Sequence, residues 1–160
     1  MIGLRALGTG DAVSCDAVIR SLPYHFALES GREECARAVR SEPGLVALDG
    51  GEVVAFLTWV PRFDEAAEIT WMAVRADRRR AGIGTLLIDR LLEELRARKR
   101  RVVGVLTVSP TDPGEEPPDG YQATRSFYRK RGFVLMRDLP GLWESDTAVL
   151  MVRAVDRAAL

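Results

Sequence analysis

The pattern of apolar and polar positions is most regular in the middle of the chain. From Gly82 to about Arg98, apolar residues recur at Ile83, Leu86, Leu87, Leu91, Leu92 and Leu95. This spacing predicts an amphipathic helix with one buried face. Its last turns carry Arg96, Arg98, Lys99, Arg100 and Arg101, cations that suit a helix C-terminus. Residues 69–74 before it and 102–108 after it are β-rich, and the second run is apolar enough for a central strand. Strand, helix and strand together form a βαβ unit, so the two strands should run parallel.

The pattern on either side predicts more strands and helices. Residues 1–7 read as a short strand. Gly8-Thr9-Gly10-Asp11 is turn chemistry, with Asp11 the N-cap of a helix to about Arg20 that carries Val13, Ala17 and Val18 on one face. Pro23 ends that helix. A second starts at Ser30 or Gly31, runs through Glu33, Cys35, Ala38 and Val39, and stops at Pro43-Gly44. Leu45-Val46-Ala47-Leu48 and residues 53–60, joined by Asp49-Gly50-Gly51, read as a hairpin. Residues 121–130 read as a helix ending at Gly132, and residues 133–137 and 147–152 as two closing strands. Residues 109–120 contain Pro110, Pro113, Pro117 and Pro118. They read as a surface loop over the site, because the remainder of the chain is too short for an independent domain. The fold class expected is a three-layer α/β (α+β) domain with a mixed sheet.

Composition narrows the function classes. A chain of 160 residues is expected to form a single domain over residues 1–160, at ~100–200 residues per domain. With 47% hydrophobic and 29% charged residues it is not a disordered chain. No apolar run approaches the ~20 residues of a membrane span, and the first residues do not read as an export signal. Cys15 and Cys35 are the only cysteines and form no C-x-x-C. That excludes a disulfide scaffold and a cysteine-built zinc site, and fits a reducing cytoplasm. His25 is the only histidine, so Ser-His-Asp or histidine-rich metal chemistry would hang on one residue. The net charge is zero, and no bulk attraction to nucleic acid or membrane is expected. Residues 1–70 carry 6 basic and 11 acidic side chains, residues 71–110 carry 10 and 4, and residues 111–160 carry 7 and 8. A basic middle between acidic or neutral flanks suggests one anionic ligand held locally.

The turn entering the central helix is where that anion would bind. Free N–H groups and the helix dipole make a strand-to-helix junction an anion site. Gly82 and Gly84 would let the backbone approach a phosphate where a Cβ would obstruct it, and Arg79 and its neighbours add positive charge. A tight turn with a solvated arginine face is the plain alternative. The P-loop signature fails because no lysine follows Gly84. The dinucleotide signature fails because Leu87 stands at its third glycine.

Arg79-Arg80-Ala81-Gly82-Ile83-Gly84, after a strand ending in Ala73-Val74, fits R-x-x-G-x-G. It resembles the acyl-CoA signature of the GNAT superfamily of N-acetyltransferases. Phe127-Tyr128-Arg129-Lys130-Arg131-Gly132-Phe133 looks like that superfamily's F-Y-x-x-x-G-F. The hairpin before and the two strands after stand in the order the family shows. The resemblance covers roughly residues 44–152, with residues 1–43 compatible with a first strand and two helices. It implies a mixed seven-stranded sheet in the chain order strand, two helices, three strands, helix, strand, helix, two strands. It also implies acetyl-CoA as co-substrate and no metal, and leaves a homodimer open. Backbone groups of Met72, Ala73 and Val74 would pair with the pantetheine arm in a splay between the two parallel strands. Amides of Arg79, Arg80, Ala81, Gly82, Ile83, Gly84 and Thr85 would hold the pyrophosphate. Many members carry asparagine seven residues before the tyrosine, where this chain has Tyr121.

The implied chemistry makes its own demands. A lysine-like amine with pKa ~10.4 is neutral in only about 10⁻³–10⁻⁴ of molecules near pH 7, so something must accept a proton. The departing thiolate needs a proton and the oxyanion needs a donor. Glu68 is the base that the resemblance offers, by its spacing to Gly82; a solvated strand-end glutamate is the alternative. Asp64 and Glu65 are less well placed, in the preceding loop. Tyr128 is the acid, a phenol protonated at neutral pH, with a packed core tyrosine as the alternative. The resemblance supplies the oxyanion donor from a strand amide near residues 72–74. It also puts His25 in the region that lines the acceptor pocket, although a lone histidine among aromatics is more often structural. Trp59, Trp71 and Trp143 read as core or pocket wall, and Cys15 and Cys35 as small buried hydrophobes.

The expected protein is thus a cytoplasmic acetyltransferase acting by direct attack on acetyl-CoA. The acidic first 70 residues favour a small cationic amine as acceptor. The alternatives are a protein lysine or N-terminal acetyltransferase, a catalytically silent acyl-CoA-binding regulatory module, and a nucleotide-binding α/β protein.

Overall fold

Gly50 and Gly51 both take left-handed backbone conformations, with φ of 58° and 86°. Such a two-residue turn matches the twist of the strands it joins. It folds β2 (Gly44–Asp49) onto β3 (Glu52–Pro61), as the hairpin pattern predicts. A computed structural model describes this and the rest of the chain over residues 1–111, 116–117 and 120–156. The other strands are β1 (Ile2–Ala6), β4 (Ala66–Val74), β5 (Val102–Val108), β6 (Val134–Leu139) and β7 (Ala148–Ala154). The helices are α1 (Ala12–Arg20), α2 (Glu29–Ser41), α3 (Ile83–Ala97) and α4 (Tyr121–Lys130).

The seven strands form one sheet in the order β1-β2-β3-β4-β5-β7-β6. Only β4 and β5 pair in parallel, joined by α3; every other neighbouring pair is antiparallel. The expected chain order of elements is the observed one. The last strand, β7, inserts between β5 and β6.

Helices cover both faces, which makes the three layers. On one face Cys15, Val18 and Ile19 of α1 and Cys35 and Val39 of α2 pack on Val46, Phe56 and Ala73. On the other, Leu87, Leu91 and Leu95 of α3 and Tyr128 of α4 pack on Leu57, Ile69, Val105 and Met151. Both thiols are fully buried, and burial pushes Cys15 up to about 12. Among the described residues, no helix is long and apolar enough to cross a membrane.

Three local expectations need correction. The buried stripe of α1 is Ala12, Cys15, Val18 and Ile19, while Val13 and Ala17 face solvent. The small apolar cysteine holds the core position that the pattern assigned to its neighbours. Asp11 stands at the N-cap position of α1 without capping it. Its carboxylate is taken instead by Arg5, at 2.7 and 2.8 Å, and by the Gly8 amide at 2.8 Å. In α3, Leu86 is exposed and Ile88 takes its place in the core. The loop expected over residues 109–120 lies in part, at 112–115 and 118–119, outside the described residues.

Candidate active site

The two parallel strands stay paired for only four residues. The register runs from Ala66↔Val102 to Ile69↔Val105 and then stops. Residues 71–74 of β4 and 106–108 of β5 each keep their antiparallel partner on the other side, so a gap opens between them. Arg75 donates its N–H to the Val54 carbonyl at 2.8 Å, turning its polar groups toward β3. Backbone groups alternate along a strand, so Ala73 also faces β3, while Met72 and Val74 present N–H and C=O to the gap. This refines the sequence expectation. A pantetheine arm bonded to β4 would use Met72 and Val74, because the polar groups of Ala73 are already directed to Phe56.

At the open end of the gap, α3 begins. Gly82 is its N-cap residue, with φ 79° and no side-chain cap. Arg80, with φ 65°, is also left-handed, one of two non-glycine residues in that state among the described residues. Left-handed residues alternating along a turn aim successive N–H groups inward, as in an anion-binding nest. Among the described residues no protein group accepts from the amides of Arg80, Ala81, Gly82, Ile83, Gly84 or Thr85. The turn thus leaves six amides without a protein acceptor at the start of a helix, an arrangement that suits an anion. Arg75 and Arg78 are committed elsewhere: Arg75 to Glu52 at 2.7 Å and Asp77 at 2.6 Å, and Arg78 to Asp49 at 3.1 Å.

The two glycines of the motif have different jobs. A Cβ on Gly82 would meet nothing within 4 Å, so Gly82 is needed for its left-handed φ. A Cβ on Gly84 would come within 3.1 Å of the Phe127 ring, so Gly84 lets α4 pack on the first turn of α3. The packing of Phe127 is a reason for glycine at this position beyond the clearance that the motif implies. Gly84→Ala is expected to push α4 away and cost about 1–3 kcal/mol of stability, as overpacking does. Urea unfolding of the variant and the parent checks this.

At the closed end of the gap, β4 carries a bulge. Thr58 pairs with Trp71 and Trp59 with Ile69, leaving Thr70 without a partner in β3. Ile69 points into the α3 face, so Glu68 and Thr70 point to the α1/α2 face. Arg62 Nε donates to Glu68 Oε2 at 2.8 Å. The hydrogen bond to Glu68 raises the Arg62 pKa, and the charge of Glu42 adds to the effect. Glu42, the residue that ends α2, accepts a short hydrogen bond from Thr70 Oγ1. Thr70 Oγ1 also pairs with Thr58 Oγ1 at 2.8 Å. The structure thus places Glu68 beside the vertex, still in the paired part of the sheet, with Arg62, Glu42 and Thr70 around it. Asp64 and Glu65 stay outside this group; Glu65 pairs with Arg101 at 3.3 Å.

From the opposite face comes Tyr128. It is 4% exposed and packs on Phe127 and Phe133, at ring separations of 5.2 and 5.3 Å. Its hydroxyl makes no hydrogen bond within the protein among the described residues, yet it is not one of the polar atoms sealed away without a partner. Burial holds its pKa well above the ordinary phenol value. Tyr121, one end of the helix away, donates to the His25 carbonyl at 3.3 Å and is pushed up to about 12 by burial. Tyr24, His25 and Tyr121 meet at ring separations of 5.2–5.6 Å, and Phe26 stacks on Trp71 at 5.8 Å. The α1–α2 connection is thereby tied both to β4 and to α4. His25 belongs to this wall.

These phenols predict a pH effect on stability. Their folded pKa values lie above the ~10 of an unfolded tyrosine, so above pH ~10 the unfolded chain releases protons that the folded chain keeps. The contribution is intact below pH ~10 and is lost as pH rises toward the folded values. Tm should fall between pH ~10 and ~12 in thermal melts.

Some contributors carry no local sequence signal. Arg125 and Glu116 pair at 3.4 Å with side chains 9% and 8% exposed. Arg125 also donates to the Val108 carbonyl at the end of β5 at 2.8 Å, and Glu116 accepts from the Gln122 amide in the first turn of α4 at 2.8 Å. They fix where α4 starts relative to β5. A groove of about 580 Å³ on the outer flank of α4, lined by Gln122, Arg129 and Leu135 among others, does not reach β4.

A gap between parallel strands beside an uncapped helix N-terminus is the arrangement that the sequence resemblance implies for an acyl-CoA site. A family model described as acetyltransferase (GNAT) domain matches residues 40–135. The chain belongs to the GNAT acetyltransferases, enzymes whose acetyl donor is acetyl-CoA. Solved structures agree on the fold. A GNAT-family protein from Desulfovibrio desulfuricans superposes with TM-score 0.82 at 17% identity, covering 98% of this chain and 100% of that one. The ribosomal-protein-S18-alanine N-acetyltransferase from Escherichia coli gives 0.76 at 18%, covering 97% and 94%. An aminoglycoside 6′-N-acetyltransferase complexed with coenzyme A gives 0.73 at 21%, covering 96% and 97%. No curated protein matches the sequence at a significant level.

Proposed function

We propose that this enzyme moves the acetyl group of acetyl-CoA to a primary amine of a small cationic acceptor by direct attack in the cytoplasm, with no acyl-enzyme. Acetyl-CoA supplies an activated thioester. The amides of residues 80–85 and the backbone of Met72 and Val74 bind it, and Tyr128 holds a proton for the departing sulfur. Glu68 draws a proton from the acceptor nitrogen through water. The observation that carries this reading is the gap itself: parallel pairing stops at Ile69↔Val105, one residue past Glu68, and Tyr128 belongs to the core cluster on the α3 face of the sheet. A cationic acceptor is favoured by carboxylates around that end. Arg62 pairs with Glu68 at 2.8 Å, and Glu42, which has no ion pair among the described residues, lies close enough for its charge to act on Arg62. The two unpaired cysteines suit a reducing compartment.

A second reading, N-terminal acetylation of a protein, is favoured by the likeness to the S18-alanine enzyme. Acetyl-CoA consumption over polyamines, aminoglycosides, acidic amines and N-terminal peptides separates the two. The proposal expects the cationic small molecules to react fastest and Tyr128→Phe to slow them by about 10²-fold or more. Preference for peptides or acidic amines would overturn the acceptor class. If Glu68→Gln and Tyr128→Phe both left turnover unchanged, the assigned roles would be wrong.

A further inference from the structure

An ammonium acceptor loses two protons when it becomes an amide: one before it attacks and one after the C–N bond forms. The proposed function assigns Glu68 to one of them. The α1/α2 face of the vertex holds a second acceptor. Thr70 is the first β4 residue beyond the last parallel pair, Ile69↔Val105, and the bulge frees it from β3. Its hydroxyl donates to Glu42. The Thr58 hydroxyl, 2.8 Å away and itself fully buried, is then left to donate to Thr70. A hydroxyl has one proton and two lone pairs, so Thr70 Oγ1 keeps one lone pair open.

We infer that Thr70 relays a proton from the acceptor nitrogen to Glu42, alongside Glu68; this rests on the acetyl-transfer reading above. One ammonium proton passes through water to Glu68. The freed lone pair forms the C–N bond, the C–S pair leaves with sulfur, and sulfur takes the Tyr128 proton. The nitrogen then gives its second proton to Thr70 Oγ1 while Thr70 passes its own to Glu42 Oε2. Glu68 and Glu42 release their protons to water, and one is recovered by the Tyr128 phenolate. The net change is one ammonium and one thioester giving one amide, one thiol and one proton. Arg62, near both carboxylates, offsets their mutual repulsion. Thr70 is the residue that touches the reacting nitrogen; Glu42 acts through it, as a positioning and proton-accepting residue.

The test uses an amine that the parent enzyme acetylates, with kcat, KM, acetyl-CoA Kd and Tm measured for Thr70→Val, Thr70→Ser, Glu42→Gln and the Val/Gln double variant. Thr70→Val and Glu42→Gln should each lower kcat about 100-fold, the low end of the effect of a lost proton-transfer group. Acetyl-CoA Kd should stay within about twofold, since neither residue lies in the phosphate turn. Thr70→Ser should restore most of kcat, and the double variant should be no slower than the slower single one, because both act on one path. Parent kcat in Thr70→Val, a Thr70→Ser as slow as Thr70→Val, or losses that multiply would each overturn the relay. A parent enzyme that acetylates no amine would instead sink the acetyl-transfer reading.

Discussion

Tyr128→Phe is expected to lower kcat by about 10²-fold or more, the usual scale of a lost general acid, with acetyl-CoA affinity nearly unchanged. The change removes one oxygen and keeps the ring. Its contacts with Phe127 and Phe133 are ring contacts, and the hydroxyl makes no hydrogen bond within the protein among the described residues. Stability should therefore hold or rise slightly, since a buried hydroxyl without a protein partner contributes little to folding. Burial also keeps the phenol protonated well past neutral pH, so the acid should not set an alkaline limb on activity below pH ~10. Steady-state kinetics of the variant, with acetyl-CoA binding measured separately, check the split between kcat and affinity. Equal loss in both would make Tyr128 a packing residue.

Gly82→Val should act in the opposite way, destroying acetyl-CoA binding while leaving the fold intact. A Cβ at residue 82 meets nothing within 4 Å, so no core contact is lost. A β-branched residue nevertheless resists φ 79°. The turn must then re-form with its amides no longer convergent. Each hydrogen bond to a charged group contributes roughly 1.5–3 kcal/mol, so losing one or two should weaken acetyl-CoA binding about 10- to 10⁴-fold. Calorimetric titration of the variant with CoA, beside its urea midpoint, measures both effects. Full binding would mean that the diphosphate is held elsewhere.

The parts of this fold that were legible in the sequence are those set by near neighbours. Asp49-Gly50-Gly51 sets a hairpin because two left-handed residues in a row are its geometry. Residues 82–98 show their helix because one buried face repeats every turn. The R-x-x-G-x-G turn is legible as a candidate anion site because a helix begins there with amides that have no protein acceptor among the described residues. The site's other half is built by partners far apart in the chain. Glu42 and Thr70 are 28 residues apart, and they meet only because α2 ends over the bulge of β4. The bulge depends on how residues 58–59 and 69–71 pair across two strands, which neither strand encodes alone. The point where β4 and β5 part is equally invisible in either strand's pattern. Gly84 shows how a motif glycine can carry a requirement its neighbours do not reveal: its missing Cβ makes room for Phe127, a residue from another helix. Tyr121, in place of the family's frequent asparagine, reaches to the His25 carbonyl and closes a wall that no local pattern describes.

The central claim is that acetyl-CoA lies along the free edge of β4 with its diphosphate on the start of α3. A titration of ¹⁵N-labelled protein with CoA, and separately with ATP and NAD, followed by amide resonances, tests it most directly. CoA should shift the amides of residues 80–85 together with those of Met72 and Val74, and ATP or NAD should bind far more weakly. Shifts clustered on the outer flank of α4, with β4 silent, would contradict the account, and so would ATP reproducing the full CoA pattern.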